Sequence, residues 1–231
     1  MKLFNKIFFL YKSKSALIIY IIFLKTKLIN IFLKKKIKNK KKIHKKFLLS
    51  KKITQDYFSS HAYNFYEIMK KFEKPKYLEI GSFEGNSAMF IAKNFENSKI
   101  FCVDNWVGTE EYNNLNFSKL ENNFNSNISE FNNINKFKML SDNFFKNNKT
   151  TFDVIYIDGY HKGLQVLEDF KNSWNVLNDN GVIIFDDYIW KFYDKIQDNP
   201  CYVINSYLKK ISDDVKILKV SNSQLYIQKK L

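Results

Sequence analysis

Two apolar runs of this sequence end on residue types that could do chemistry. The run in DVIYIDGYH ends at Asp158, and His161 follows three positions later. The run in GVIIFDDY ends on the adjacent pair Asp186 and Asp187. Carboxylates bind divalent cations, and a histidine can accept a proton from a hydroxyl near neutral pH. If the two runs end at the same place in the fold, these four side chains could form one catalytic site.

The elements that must position these residues follow from the apolar pattern of the chain. Predicted strands cover residues 77–80, 99–103, 136–140, 154–157, 182–185, 215–220 and 224–228. Predicted helices cover residues 55–72, 87–95, 115–131, 163–177 and 202–211. Their alternation predicts an α/β fold, with a doubly wound, mostly parallel seven-stranded sheet of Rossmann-like type that ends in a hairpin. In such a sheet the fourth and fifth strands are neighbours and ligands bind beyond their carboxyl ends, so Asp158 should lie beside Asp186 and Asp187.

Three carboxylates at one sheet edge favour a bound cation, because without one they repel each other. Oxygen ligands suit Mg²⁺, and the predicted ligands are Asp158, Asp186 and Asp187. His161 begins the predicted helix after the fourth strand, where the helix N-terminus and a nearby cation both disfavour the imidazolium form. The neutral imidazole is then the predicted general base. The alternatives are that Asp158 caps the helix, that the aspartate pair lies in a solvated turn, and that His161 is a surface or capping residue.

The net charge of +15 belongs to the first part of the chain. Residues 1–52 contain seventeen lysines and no acid, whereas the remaining 21 basic residues face all 23 acids. This change predicts a basic amphipathic N-terminal extension, 1–52, and an α/β domain, 53–231. The chain has no arginine and is rich in lysine, asparagine, isoleucine and phenylalanine, a bias typical of AT-rich coding sequence. Its two cysteines, Cys102 and Cys201, lack metal-binding spacing and favour a reducing compartment.

The basic extension is expected to contact a membrane surface. Its longest uninterrupted apolar run, 16–24, would span about 14 Å as a helix, against the roughly 30 Å of a bilayer core. A helix lying in the interface fits better, with the basic run 34–46 attracted to anionic lipid. The predicted location is cytoplasmic and peripheral, at the inner face of the membrane through residues 1–46. The alternatives are packing on a partner or on the rest of the protein, a short spanning anchor, and a nucleic-acid-binding arm.

A glycine loop follows the first predicted strand, in YLEIGSFEGNSA. Gly81 and Gly85 allow positive φ and close approach of a ligand, and the next helix offers N–H groups at its start. The second strand ends at Asp104, about 20 residues further on, where an acid can accept hydrogen bonds from ribose hydroxyls. Phe83 occupies the middle-glycine position of the dinucleotide fingerprint, which favours a ligand with ribose but without pyrophosphate. The alternative is that both glycines serve ordinary turns.

The pattern E-x-G-x-x-x-G after a strand, followed by an acid at the end of the next strand, resembles the S-adenosylmethionine site of class I methyltransferases. In that family the first loop contacts the methionine part and the second-strand acid holds the ribose. The resemblance also gives Asp142, after the third strand, a contact with the adenine amino group; a helix N-cap is its alternative. The cofactor-binding residues that the resemblance implies are Glu79, Gly81, Ser82, Gly85, Asp104, Asn105, Asp142 and Asp158.

Residues 75–190 also resemble the metal-dependent O-methyltransferases, in particular the macrocin-type branch that methylates sugar hydroxyls of macrolides and related glycosides. That branch has D-G-x-H after the fourth strand and an acid pair after the fifth, which correspond to DGYH and to Asp186-Asp187 in this chain. Catechol-type relatives have Asp-Asn at the acid pair. The resemblance implies Mg²⁺-dependent methyl transfer from S-adenosylmethionine to a hydroxyl of a sugar or glycoconjugate, with His161 as the base.

Three other functions stay open on the sequence. A nucleic-acid methyltransferase would explain the lysines, but N-methylating enzymes commonly have an Asn/Asp-Pro-Pro-aromatic motif where this chain has DGYH. A nicotinamide-dependent oxidoreductase is disfavoured by the missing middle glycine. A membrane-tethered binding protein could keep the fold without the chemistry. The expected partner is a small-molecule or glycan acceptor rather than nucleic acid, and the sequence identifies neither the acceptor nor the oligomeric state.

Overall fold

A computed structural model of the chain describes residues 3–112 and 115–231. The strands are β1 Lys76–Ile80, β2 Lys99–Asp104, β3 Ile134–Lys138, β4 Phe152–Ile157, β5 Leu177–Phe185, β6 Val215–Val220 and β7 Leu225–Lys229. The helices are α1 Leu3–Lys12, α2 Leu17–Phe32, α3 Lys34–Leu48, α4 Ala62–Met69, α5 Asn86–Asn94, α6 Phe117–Ile128, α7 Ser141–Asn147, α8 Gly163–Asn175 and α9 Pro200–Lys210.

The strands form one seven-stranded sheet in the order β3-β2-β1-β4-β5-β7-β6. Strand β2 is parallel to β1 and to β3, and β4 is parallel to β5. The last two strands are antiparallel: β7 pairs with β5 and with β6. This arrangement confirms the predicted α/β fold, with its doubly wound, mostly parallel sheet, its terminal hairpin and its N-terminal helices.

The chain forms two compact units. The C-terminal unit consists of Met1–Ile31 with Thr150–Leu231, and the central unit consists of Phe32–Lys149. Helix α1 and nearly all of α2 therefore belong to the C-terminal unit, and α3 belongs to the central unit. Within the described ranges, no helix is both long enough and apolar enough to cross a membrane. The domain boundary at residue 53 and the peripheral location stay predictions.

In the central unit, β1 and β2 are parallel and end in register. Ile80 pairs with Val103, and Asp104 follows as the last residue of β2. Each strand begins with an exposed lysine and continues through buried residues, the pattern of a strand covered on both faces. Helix α5 packs on β2 and buries Met89 and Phe90. These contacts hold the loop between β1 and α5 at the carboxyl end of the two strands.

In the C-terminal unit, β4 and β5 are parallel and their carboxyl ends coincide. Ile157 pairs with Phe185, and the N–H of Asp186 donates to the carbonyl of Ile157 at 2.9 Å. Helix α8 packs on both strands, and the ring centroid of Phe170 lies 4.6 Å from that of Phe185. Because this register is fixed, the residues that follow the two strands begin side by side.

The structure buries one histidine that the sequence assigned to the basic extension. His44 is only 3% exposed, and its Nε2 lies 2.7 Å from Oδ1 of Asn86. Its ring packs edge-on against Phe58 and Phe90. Burial lowers the pKa of His44, because the low-dielectric surroundings disfavour the imidazolium form. Helix α3 is thus part of the core of the central unit.

Two further features differ from what residue types and spacing suggest. Asp169, a charged residue within a helix, is only 1% exposed, because it lies three residues after Val166 on the buried side of α8. The helix expected at 55–72 is limited to α4. The carboxylate of Asp56 accepts the N–H of Ser59 at 2.9 Å, which favours a turn before that helix.

Candidate active site

The loop between β1 and α5 has three residues in the left-handed region of backbone conformation. Gly81, Phe83 and Gly85 have φ of 85°, 48° and 80°. A residue with a side chain adopts this conformation at a cost of about 1–2 kcal/mol. The indole N–H of Trp106 donates to the carbonyl of Phe83 at 2.8 Å and helps to hold it there. The turn is therefore made without a middle glycine.

Asp104 ties this loop to the end of β2. Its Oδ2 accepts the N–H groups of Ser82 and Phe83, each at 2.9 Å, and its Oδ1 accepts that of Trp106 at 2.8 Å. Burial raises the pKa of the Asp104 carboxyl, and these N–H groups oppose the shift because they favour the charged form. The acid therefore orders the loop, and its contact with a ribose stays a prediction.

Glu79 is buried in β1, behind the loop. Its Oε2 accepts hydrogen bonds from the hydroxyl of Tyr77, at 2.9 Å, and from that of Ser87. Burial raises the pKa of Glu79 to about 7. Its Oε1 has no well-formed hydrogen bond to any described residue, although the Ser82 hydroxyl lies close by. A buried acceptor of this kind fits a ligand that brings a hydrogen-bond donor or a positive charge, as the methionine part of S-adenosylmethionine would.

Gly85 and Asn105, two further cofactor-binding candidates of the central unit, have roles within the fold itself. Gly85 is closely packed, since a Cβ there would lie 3.1 Å from Phe124 of α6. The Oδ1 of Asn105 accepts a backbone N–H at 3.0 Å in the turn after β2. Asp142 is exposed in the first turn of α7, where Leu140 is the N-cap residue, so the N-cap alternative for Asp142 is wrong. The other candidates of this unit lie along β1, in the loop after it and at the end of β2, whereas Asp142 follows β3.

The predicted base His161 and two of the predicted metal ligands, Asp158 and Asp187, meet in the C-terminal unit. Asp158 follows β4, His161 lies two residues before α8, and Asp187 lies two residues after β5. The Nε2 of His161 is 3.2 Å from Oδ2 of Asp187 and 3.6 Å from Oδ1 of Asp158. One ligand atom from each residue lies within 4.8 Å of the other two, an arrangement that could hold a metal ion. His161 is buried and the two aspartates are partly exposed, so the cluster opens to solvent on their side.

Asp186 lies beside this cluster, but its oxygens are engaged elsewhere. Its Oδ1 accepts the N–H of Asp187 at 2.9 Å. Its Oδ2 accepts the side-chain amide of Gln224 at 3.1 Å and the hydroxyl of Tyr156, and that hydroxyl also lies 2.8 Å from Oδ2 of Asp158. In this structure Asp186 thus belongs to a hydrogen-bond network, and its role as a metal ligand stays a prediction.

Tyr156 and Gln224 are the residues of this network that sequence reasoning missed. Tyr156 comes two positions before Asp158, and side chains at that spacing point to the same face of a strand, so a signal was present. Gln224 reaches the site only because β7 pairs with β5, with Leu225 opposite Phe185. No local pattern could have predicted that pairing.

The electrostatics of the cluster are unfavourable for carboxylates alone. Burial has the largest effect on the Asp158 carboxyl and raises its pKa. The negative charge of Asp186 raises that pKa further, and His161 opposes the shift. The backbone of Asp187 is in the left-handed region, with φ of 47°, which is uncommon for a residue with a side chain. Such a conformation persists where the surrounding structure enforces it, and it is often found at functional sites.

An aromatic cluster adjoins His161. The ring centroid of Trp190 lies 5.2 Å from that of His161, and Trp190 stacks on Phe192 at 5.0 Å. Tyr193 meets both rings edge-on. Phe192 is 50% exposed. The segment after β5, whose sequence has no recognisable motif, therefore gives the cluster an apolar wall that reaches solvent.

The fold and the matched segment connect this chain to known methyltransferases. Residues 78–188 match the model of a family described as a methyltransferase domain. An O-methyltransferase from Bacillus cereus, solved in complex with SAH, is similar over 92% of this chain and 100% of its own, with a TM-score of 0.56 and 15% identity. The O-methyltransferase TomG from Streptomyces achromogenes, in complex with SAM, is similar over 84% of this chain and 98% of its own, with a TM-score of 0.53 and 11% identity. At these identities the likeness shows a shared fold.

A protein of Acanthamoeba polyphaga mimivirus, described as uncharacterized, is a relative in sequence. It is 29% identical over 137 residues, which make up 57% of this chain and 60% of the relative. The chain thus spans about three fifths of the length of this relative. The segment that matches the methyltransferase family contains both the glycine loop and the acid cluster.

Proposed function

We propose that this chain is a class I S-adenosylmethionine-dependent methyltransferase that methylates a hydroxyl oxygen; the match of residues 78–188 to a methyltransferase domain and the fold shared with solved O-methyltransferases support the first part. One observation carries the proposal: Asp158, His161 and Asp187 converge beyond the carboxyl ends of β4 and β5. Two acids and an imidazole at one point supply what O-methylation needs from a protein, namely a base and a place for a cation beside the acceptor hydroxyl.

The residues present fit a divalent cation. The donor set is one carboxylate oxygen each from Asp158 and Asp187, with Nε2 of His161 close to both. The raised pKa of Asp158 reflects burial and the charge of Asp186, a penalty that a cation would offset. Carboxylates suit Mg²⁺ or Mn²⁺, whereas imidazole ligation suits Zn²⁺, Fe or Ni, so the proposed ion is Mg²⁺ with the two aspartates as ligands. A bound cation would lower the pKa of the acceptor hydroxyl.

His161 is the proposed general base. The Nε2 of His161 faces Oδ2 of Asp187 at 3.2 Å; with the ring proton on Nδ1, Nε2 can accept a proton from the acceptor. In the reaction the hydroxyl proton passes to Nε2 while the oxygen–carbon bond forms. S-adenosylmethionine, when bound, would supply the methyl carbon, and its sulfur would keep the electron pair of the broken bond. The negative charge of Asp187, 3.2 Å from Nε2, would stabilise the imidazolium that forms.

The proposed acceptor is a small molecule or glycan with a sugar hydroxyl. This assignment comes from the likeness of DGYH and Asp186-Asp187 to the sugar-methylating branch. The stacked rings of Trp190 and Phe192 support it, because the apolar face of a sugar ring can pack on aromatic side chains while its hydroxyls reach polar groups.

The test is methyl transfer by the full-length chain. Radiolabelled S-adenosylmethionine is incubated with a panel of glycosides, catechols and RNA, with Mg²⁺ and then with a chelator. We expect labelling of glycoside hydroxyls that the chelator abolishes and that Asp187→Asn removes. Asp179→Asn is the matched control and should keep activity, because Asp179 is an exposed acid near the start of β5.

Two results would overturn the proposal. Transfer that is indifferent to the chelator and to Asp187→Asn would place the chemistry elsewhere in the molecule. Failure of S-adenosylmethionine to bind in a calorimetric titration, with the protein shown to be folded, would remove the methyltransferase interpretation. A parallel titration with a nicotinamide nucleotide would then test the oxidoreductase alternative.

A further inference from the structure

The two N-terminal helices have an exposed apolar face. This apolar face consists of Phe4, Phe8, Tyr11, Leu17, Ile21, Leu24 and Leu28, all of them exposed. Within each helix its members are three or four residues apart, so they line one side. The three members from α1 and Leu17 from the start of α2 line one open groove, so the two sides adjoin there. A contiguous exposed apolar surface of this kind usually marks an interaction site.

The opposite side of α1 and α2 is fixed to the C-terminal unit. Buried side chains there are Phe9, Leu10, Ile19 and Phe23. The amide of Asn205, in α9, donates to the carbonyl of Ser13 at 3.0 Å. The ammonium groups of Lys6 and Lys27 donate to Asn222, at 2.7 and 3.0 Å. The apolar face is therefore held in a fixed orientation on the rest of the C-terminal unit.

Positive charge borders the apolar face. Lys12 and Lys25 are exposed in the same two helices, and residues 1–52 carry seventeen lysines and no acid. The ammonium of Lys12 lies 4.7 Å from the ring centroid of Phe8. Its apolar stem can thus lie along the face while its charge stays at the edge. The partner that complements this surface is apolar inside and anionic at its rim.

We propose that the apolar face docks on an anionic phospholipid bilayer, with α1 and α2 lying in the interface. The apolar side chains would enter the boundary between headgroups and acyl chains, and the lysines would bind anionic headgroups. A second copy of the chain fits less well, because it would bring two lysine-bordered surfaces together. Nucleic acid would satisfy the lysines but leave the apolar side chains in water. This proposal does not depend on the methylation reaction.

The experiment is vesicle flotation of the full-length chain. Phosphatidylcholine vesicles are compared with vesicles that also contain phosphatidylserine. We expect binding to the second kind that weakens as salt is added. Ile21→Ser with Leu28→Ser should weaken it by about tenfold or more, because two apolar side chains no longer leave water. Lys12→Gln with Lys25→Gln should weaken it by about fivefold per lysine, on the phosphatidylserine vesicles alone.

The matched control is Leu140→Ser with Leu231→Ser, which changes two exposed leucines outside the two helices and should leave binding intact. Circular dichroism of each variant establishes that it is folded. The proposal fails if the unaltered chain does not float with phosphatidylserine vesicles, or if Ile21→Ser with Leu28→Ser floats as well as the control. The proposal also fails if the chain binds no vesicles but self-associates in sedimentation, and if Ile21→Ser with Leu28→Ser dissociates the assembly. The apolar face would then join copies of the chain.

Discussion

The glycine loop of the central unit and the acid cluster of the C-terminal unit both carry carboxylates near strand ends, but the surroundings of those carboxylates differ. Asp104 accepts three backbone N–H groups, and Glu79 accepts two hydroxyls. Asp158 and Asp187 instead lie around one imidazole, and Asp158 also lies close to the negative charge of Asp186. The loop is therefore ordered by donors of its own chain, whereas the cluster brings like charges together and would gain from a cation.

Because of this difference, we expect substitutions in the two regions to affect different properties of the protein. Changes in the loop should act mainly on the free energy of unfolding, because its polar groups are held by the protein. Changes in the cluster should act mainly on the reaction and on cation binding. Four experiments test the separation, beginning with the largest expected effect.

Replacing His161, the proposed base, should have the largest effect. We expect His161→Gln to lower kcat by about 10²–10⁴-fold, the usual contribution of general base catalysis, and to leave S-adenosylmethionine binding unchanged. Turnover assays and calorimetry measure the two quantities. His61→Gln, at the N-cap position of α4, is the control and should keep the original kcat. A His161→Gln protein with normal kcat would mean that another group removes the proton.

The pH dependence of stability should expose Glu79. Its pKa is about 7 in the folded protein, against 4.5 for an ordinary glutamate, so the folded state binds the proton more tightly. The resulting stability is fully present below about pH 4.5 and is lost as the pH rises through about 7, a change of about 3 kcal/mol in total. Glu79→Gln should remove this dependence from the free energy of unfolding, measured by urea denaturation at several pH values.

Glu96→Gln supplies the comparison for that experiment, because Glu96 is exposed and its removal should leave the pH dependence as it is. If Glu79→Gln follows the same curve as the unaltered chain, Glu79 titrates normally and its burial costs nothing that a ligand could relieve.

Cation binding should distinguish the two adjacent aspartates. At about a hundredfold excess over Kd, Mg²⁺ should raise the free energy of unfolding by about 2.7 kcal/mol. We expect Asp187→Asn to lose most of this gain and Asp186→Asn to keep it, because Asp186 is bonded to Tyr156 and Gln224. Thermal unfolding with and without Mg²⁺ or Mn²⁺ measures the effect. Equal losses in both variants would favour the ligand set predicted from the sequence, with Asp186 included.

The loop itself should show the smallest effect. Gly85→Ala places a side chain at φ of 80° and its Cβ 3.1 Å from Phe124, so it should cost about 1–2 kcal/mol of stability. Gly85→Asn should cost less in backbone strain, since asparagine tolerates the left-handed conformation, although its larger side chain still meets Phe124. Urea denaturation of the two variants separates strain from crowding. An alanine variant as stable as the original would show that α6 moves aside.

The sequence predicted much of the fold and the meeting of Asp158, His161 and Asp187, because both follow from local patterns. Apolar runs define the strands, and parallel strands bring their carboxyl ends together. Burial of His44 could not be predicted in this way, because its partners Asn86 and Phe90 lie more than forty positions away along the chain.

The separation of Asp186 from Asp187 is another feature that the sequence could not predict. Two identical neighbours in the sequence point to different partners because the backbone of Asp187 takes a left-handed conformation, φ 47°. That conformation depends on the surrounding structure, including the hydrogen bond between Tyr188 N–H and the carbonyl of Ser223. Residue types alone therefore predict which acids gather, while the fold decides which of them face the histidine.

The hydrogen bond between Asn205 and the turn after α1 has a consequence for synthesis. Asn205 lies 192 residues after Ser13, so it leaves the ribosome long after the helices that it secures. At a synthesis rate of about 5–20 residues per second, on the order of 10–40 s pass before the buried side of α1 and α2 can be covered. During that interval both sides of the two helices are apolar and uncovered. On the bilayer proposal, their first encounter with lipid would therefore come during translation, before Asn205 has been synthesised.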